Sequence, residues 1–263
     1  MKLSTYKPSA TKRVLVYGAP KTGKTVLVGK LAEAGFNLKW FDLEKGVASL
    51  LTNVDAKFHD NIELFSIPDT KAVPIAAETI LKVAAGVKCV ICEQHGKVNC
   101  PLCKNTGVLI ELNALGPRDI LVIDSATQLT NSVMSHIARG KPDDYKPDWE
   151  DWRMQGALLD KIFSMFQQAS YNIIVISHEA LVEMEDKKMK IVPVAGSSNF
   201  SKTFAKYFDE VVYCELANKS HRVGSSTNYA MNILTGSRSN IVTEKMDKPS
   251  LLPFFEHLQE IKT

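Results

Sequence analysis

The sequence has no long hydrophobic run. No apolar stretch approaches the ~20 residues of a membrane-spanning helix, and Met1 to Tyr6 lack the apolar core of a signal peptide. Both absences argue for a cytoplasmic protein with no membrane partner. A strong charge of one sign is missing too. The 32 Lys and Arg against 29 Asp and Glu leave a net +3, too little to argue nucleic-acid binding by itself and nothing that opposes it. Cysteine is scarce, 5 in 263 residues, which excludes a disulfide scaffold in a reducing compartment. The dinucleotide fingerprint G-x-G-x-x-G is absent, as are internal repeats and long linkers. With 45% hydrophobic and 23% charged residues, the chain can bury a sizeable core, and residues 1–263 read as one domain.

Against these absences stands one complete motif. Gly18, Ala19, Pro20, Lys21, Thr22, Gly23, Lys24 and Thr25 spell G-x-x-x-x-G-K-T, a phosphate-binding loop. The apolar run Val14 to Tyr17 before it reads as a buried strand, and Val26 to Ala34 after it as a helix stopped by Gly35. In such a loop successive backbone N–H groups face a triphosphate, Lys24 meets its β- and γ-phosphates, and the Thr25 hydroxyl is a hard-oxygen ligand for Mg²⁺. ATP and Mg²⁺ are the cofactors this predicts.

The pattern then alternates. Phe36 to Asp42 reads as a second strand ending in Asp42-Leu43-Glu44-Lys45-Gly46, which puts carboxylates at the crevice of an open α/β sheet. Glu44 is the candidate general base for a water aimed at the γ-phosphate. A short helix over 47–54, a strand over 62–67 and a helix over 70–85 follow. Asp119 to Asp124 is an apolar strand ending in aspartate, the Walker B pattern, and Asp124 is expected to hold Mg²⁺ opposite Thr25. A helix over 126–138 comes next, then one capped by Asp148 through Gln168, with Trp149 and Trp152 sharing a face expected in the core. The strand 171–177 puts Ser177 and His178 at its tip, where P-loop ATPases usually carry a polar group on the γ-phosphate or its water, so the likeness makes both sensor candidates. Beyond it the sequence predicts a β-hairpin over 181–194, a helix over 198–208, a strand over 210–216 with Cys214 buried, a mobile polar loop over 217–228, a strand over 229–234, a turn over 236–240 and a closing helix over 253–262.

Four of the cysteines interrupt the alternation. Cys89, Cys92, Cys100 and Cys103 form C-x2-C-x7-C-x2-C, two knuckles able to close a tetrahedral thiolate shell around a structural Zn²⁺, with an iron–sulfur cluster the other candidate. The insert is placed at 87–108. Its lysines Lys88, Lys97 and Lys104 make it basic, a surface for nucleic acid, a partner or plain solvent.

Taken together, the phosphate loop, the 41–46 segment, Val122-Ile123-Asp124-Ser125, and Gly196 to Lys202 followed by Phe208 to Val212 resemble the RecA-like ATPases, and among them small phage-encoded proteins of single-strand annealing and recombination. The resemblance spans residues 13 to about 240. It implies a RecA-like P-loop α/β fold with a mostly parallel central sheet flanked by helices, to which the zinc insert and a C-terminal hairpin region are added. It further implies Mg-dependent ATP hydrolysis stimulated by single-stranded DNA, assembly into rings or filaments with ATP between subunits, a single-stranded DNA-binding protein as partner, and residence in the host cytoplasm. Carried over by position, Lys24, Glu44 and Asp124 are catalytic, Ser177 or His178 senses the γ-phosphate, Arg238 reaches a neighbour's ATP, and 181–196 faces single-stranded DNA. That family usually has glutamine or asparagine where His178 stands, and the tetra-cysteine insert is outside its common core. The alternative function is a P-loop regulator or loader that docks a protein partner through the zinc module.

Overall fold

The computed structural model describes residues 11–67, 69–70, 72–84, 110–142, 144–225, 230, 232–240 and 246–256. Its centre is a sheet in which β1 (Arg13–Gly18), β2 (Asn37–Asp42), β3 (Ile62–Ser66), β4 (Asp119–Asp124) and β5 (Asn172–Ser177) are joined by parallel pairing. The expected α/β class with a mostly parallel sheet is therefore present. β6 (Glu179–Glu183) and β7 (Met189–Pro193) form a separate antiparallel hairpin, as predicted, turning through Lys187 at φ 60°. β8 (Glu210–Ala217) returns to the sheet parallel to β1, while β9 (Ser220–Gly224) and β10 (Gly236–Ser237) both pair antiparallel with it. The order is β10-β8-β1-β5-β4-β2-β3, so β5 sits between the loop-bearing β1 and the aspartate-bearing β4.

Alternation along each strand explains the layers, because successive side chains point to opposite faces. Leu15, Tyr17, Leu121, Ile123, Ile173 and Val175 enter one core. Against it pack α3 (Ile75–Ala84), α4 (Ala126–Ile137) and α5 (Trp149–Gln167). Val14, Val16, Ile120, Val122, Ile174 and Ile176 enter the other. That face is covered by α1 (Lys24–Gly29), α2 (Ala48–Asn53) and the Leu251 to Phe255 segment. A strand buried on both faces must be apolar throughout, and the uninterrupted runs of β1, β4 and β5 meet that demand. Each fully buried aliphatic side chain adds roughly 1.5–3 kcal/mol.

Several expectations need correction. The helix after the phosphate loop begins at Lys24 and tightens to 3-10 geometry over Lys30–Ala34 before Gly35. The polar stretch after 217 is ordered rather than mobile up to Gly224. Asn218 and Lys219 take φ 51° and 64°, the two-residue turn with both φ positive that matches strand twist, so 220–224 folds back as β9. Residues 236–237, read as a turn, are the short strand β10. In the predicted strand 229–234, Ile233 makes only an isolated bridge to Ile191 among the described residues. The closing helix is a 3-10 turn over Leu252–Phe254, and its remainder lies outside the described residues.

Trp149 and Trp152 are not core. They are 76% and 43% exposed. The capping box of Asp148 and Asp151 forms as the sequence suggests, but the buried stripe of α5 runs through Asp151, Gln155, Leu159, Ile162 and Phe166, and the two indoles stand off it. α6 (Ser198–Thr203), capped by Ser197, continues as a 3-10 turn to Tyr207.

Candidate functional site

Four adjacent parallel strands deliver the candidate residues to one end of the sheet. The loop 18–25 leaves β1 there, and its shape is fixed by backbone sterics. A Cβ on Gly18 would stand 2.1 Å from the Cys214 carbonyl oxygen of β8, so no side chain fits. Gly23 holds φ 85°, a left-handed conformation glycine adopts without strain. Pro20 and Lys21 form an exposed crest, while the buried Thr22 hydroxyl donates to the Ala19 carbonyl at 2.8 Å. Lys24 lies inside the loop, 6% exposed, with Nζ donating to the carbonyls of Gly18 at 2.9 Å and Ala19 at 2.7 Å. Neutral carbonyls satisfy its hydrogens but not its charge. Burial therefore lowers its pKa, against the opposing negative charges of Asp124 and Glu44.

The Thr25 hydroxyl donates to Asp124 Oδ2 at 3.1 Å, bringing the two expected Mg²⁺-side residues together across 99 positions of sequence. Asp124 is buried at the end of β4, and burial first, then the charges of Glu44 and Asp42, push its carboxyl up to about 7. The Asp124–Ser125 peptide is cis.

Glu44 stands beside this pair. Its Oε1 accepts from the Ser125 hydroxyl and its Oε2 faces His178 Nε2 at 3.3 Å. Burial would raise its pKa, yet hydrogen bonds from His178 and Ser125 together with the His178 and Lys24 charges outweigh that and hold it below the usual carboxylate range. Asp42 accepts from the Gly46 N–H at 3.1 Å, and burial raises its pKa.

The two sensor candidates divide. The buried Ser177 hydroxyl, with one hydrogen to share, lies 2.8 Å from the Val194 carbonyl and 2.9 Å from that of His178, which anchors the start of β6 to the end of β7. The His178 side chain reaches Glu44, and its backbone N–H donates to Thr127 Oγ1 at 3.0 Å. Arg238 is elsewhere. It follows β10, where Ser237 pairs with Glu210 and the Arg238 N–H donates to the Asp209 carbonyl, while Gly18 pairs with Cys214 five positions beyond Asp209, so it sits about 17 Å of strand away from its own loop. There its Nη1 lies 3.2 Å from Asp209 Oδ1.

Two contacts escaped the sequence. Ser125 was visible as the residue after the Walker B aspartate, but not as the group that holds Glu44. His221, in the stretch read as a mobile loop, places Nδ1 at 3.0 Å from the Thr22 carbonyl. Beside the β6–β7 hairpin a cavity of about 780 Å³ opens toward α6, lined among others by Lys188, Lys190, Lys202, Asn199 and Asn232.

Cys89, Cys92, Cys100 and Cys103 lie outside the described residues. Among the described residues no group of three or more His, Cys, Asp or Glu is placed to hold a metal ion, and no helix is long and apolar enough to cross a membrane.

A family model described as AAA domain matches residues 10–239 of the chain. No curated protein matches it. Among solved structures, the crystal structure of the RadB recombinase aligns over 81% of this chain and 79% of its own at 14% sequence identity, with a TM-score of 0.44.

Proposed function

The chain belongs to the AAA domain family, and from that premise we propose that it is a RecA-like ATPase that binds ATP with Mg²⁺ on the 18–25 loop and hydrolyses it while acting on single-stranded DNA. The observation that carries this reading is the convergence of Lys24, Thr25, Asp124, Glu44 and His178 at one end of the sheet. The donor set fits the two cofactors. A buried ammonium with only carbonyl partners suits a polyphosphate, and a hydroxyl beside a buried carboxylate suits an ion that takes oxygen ligands. When bound, Mg²⁺ supplies charge neutralisation at the phosphates.

The chain's own residues divide the remaining work. Lys24 holds positive charge where the terminal phosphates bind. Glu44, kept ionised by Ser125 and His178, is ready to accept a proton from water at Oε1 or Oε2. His178 holds Glu44 in place and is the sensor we favour over Ser177, whose hydroxyl serves Val194. Arg238, at the opposite end of the sheet from its own loop, serves a neighbouring subunit's ATP in a ring or filament. Single-stranded DNA is taken by the hairpin face, where Lys188, Lys190 and Lys202 supply phosphate contacts. The role is of the phage recombination or strand-annealing type, in the host cytoplasm, with a single-stranded DNA-binding protein as partner. The spacing of Cys89, Cys92, Cys100 and Cys103 supports one structural Zn²⁺ per chain; elemental analysis returning no metal, with four freely titrating thiols, removes that site.

The deciding experiment is an ATPase assay with and without single-stranded DNA. Turnover should rise with DNA, and DNA binding should weaken steeply with salt. Turnover indifferent to DNA moves the protein to the class of P-loop regulators or loaders that dock a protein partner.

A further inference from the structure

A cavity of about 280 Å³ lies against the phosphate loop, walled by Val26 and Leu27 of α1, Asn53 of α2, His221 and Val223 of β9, and Pro249. Its position relative to the acidic groups is informative. Asp124 ends β4 and Glu44 follows β2, on one side of β1, whereas the cavity opens toward β8 and β9, on the other. In a nucleoside triphosphate the nucleoside and the reacting phosphate are at opposite ends of the phosphate chain. A loop that presents its terminal phosphate to Glu44 therefore leaves the nucleoside on the β9 side, where largely apolar walls, with Thr22, Lys30, Asn53 and His221 as the polar exceptions, and this volume suit one flat heterocycle.

His221 gives that cavity a chemical preference. The Thr22 carbonyl can only accept, so the Nδ1 that sits 3.0 Å from it carries the hydrogen, and Nε2 of the neutral ring is left as an acceptor. Adenine offers an exocyclic amino donor to such an acceptor, and guanine offers a carbonyl at the corresponding position. The same imidazole packs on Gly23, where a Cβ would stand 3.1 Å from Nδ1, so the ring touches both the loop and the cavity.

We propose that this cavity is the nucleoside subsite of the phosphate loop and that His221 is its selectivity residue, favouring adenine over guanine. The inference rests on the phosphate-loop reading, and the test separates the two. Calorimetric titration of the full chain with Mg²⁺ and ATP, GTP or inorganic tripolyphosphate should show ATP binding about tenfold tighter than either of the others, the worth of one well-made hydrogen bond plus apolar contact. Val26→Trp, which fills the cavity from a half-buried position, should bring the ATP affinity down to that of tripolyphosphate. His221→Phe keeps a ring on the loop but removes the acceptor, and should erase the difference between ATP and GTP while both still exceed tripolyphosphate. Equal binding of ATP and tripolyphosphate by the wild-type chain overturns the subsite and leaves the loop standing. An undiminished ATP-over-GTP preference in His221→Phe overturns the selectivity role. Failure of tripolyphosphate and ATP alike to bind overturns the loop reading and this inference with it.

Discussion

The two ends of the central sheet handle charge in opposite ways. At the N-terminal end the polar groups are paired with one another. Arg13 Nε and Nη2 meet Asp209 at 2.8 and 3.1 Å, the Arg13 backbone N–H donates to the same carboxylate, and Arg238 adds a further contact. Asn172 there accepts from Lys12 N and donates to the Pro117 carbonyl, tying three chain segments together. At the C-terminal end a lysine is buried on carbonyls, and burial first, with the neighbouring carboxylate charges adding to it, pushes Asp124 and Asp42 toward their neutral forms while Glu44 stays ionised. Removing a charge from water without a matched partner costs stability. One end of the sheet thus stabilises the fold, and the other holds charge in reserve for a charged ligand, where perturbed groups gather when a site has work to do.

The largest effect should come from emptying the reserve. Lys24→Ala removes a point charge that no neighbour replaces, so ATP turnover should fall to background while circular dichroism and Tm stay close to wild type. Turnover near the wild-type level in that variant removes the phosphate-loop assignment. Lys21, on the exposed crest of the loop, is the second cation to control for, in a double variant.

Next comes Glu44→Gln, which keeps the shape and loses the proton acceptor. Hydrolysis should drop by ~10²-fold or more with ATP binding retained. An unchanged rate would move the role to Asp42, which lies at the same strand end with a raised pKa.

At the other end of the sheet, Asp209→Ala should do the reverse. It leaves the part-buried Arg13 without its carboxylate and should cost about 2 kcal/mol in denaturant unfolding, the range for hydrogen bonds to charged groups, with ATP affinity unaltered. A loss of ATP binding without a loss of stability would erase the distinction between the ends.

How far each end could be read from sequence follows from the length of its contacts. The loop is eight consecutive residues whose chemistry needs no partner to be recognised, and β4 announces Asp124 by an apolar run that only a buried strand requires. Glu44 was placed by its position at a strand end, but its tether Ser125 is 81 residues away, and His221 touches the loop across 199. Neither contact leaves a local pattern. Arg13 and Asp209, 196 residues apart, were invisible for the same reason. Trp149 and Trp152 show the converse. Their helix and its cap were legible, but which face of a helix is buried is decided by its neighbours, and here Asp151 and Gln155 face inward while the indoles face water.

The last predicted effect is a slope. In nucleotide-free, chelator-treated protein, burial and the charges of Glu44 and Asp42 hold the Asp124 pKa at about 7, against about 3.9 for an unfolded aspartate. Between those values the folded chain keeps a proton that the unfolded chain has given up, so stability falls as pH rises from about 4 to 7. Asp42, raised by burial, adds to the same slope. Carboxylates with lowered pKa, such as Glu44 and Asp160, act oppositely and only below the ordinary carboxylate range, where stability is lost as pH falls. Asp124→Asn fixes the neutral form, so subtracting its Tm-versus-pH curve from that of the wild type cancels contributions from histidines and surface groups. The difference should decline from pH 5 to about pH 7 and level off by pH 8. A difference that stays flat over the same window would show that Asp124 is already ionised in the free protein and that this end of the sheet holds no protonated carboxyl in reserve.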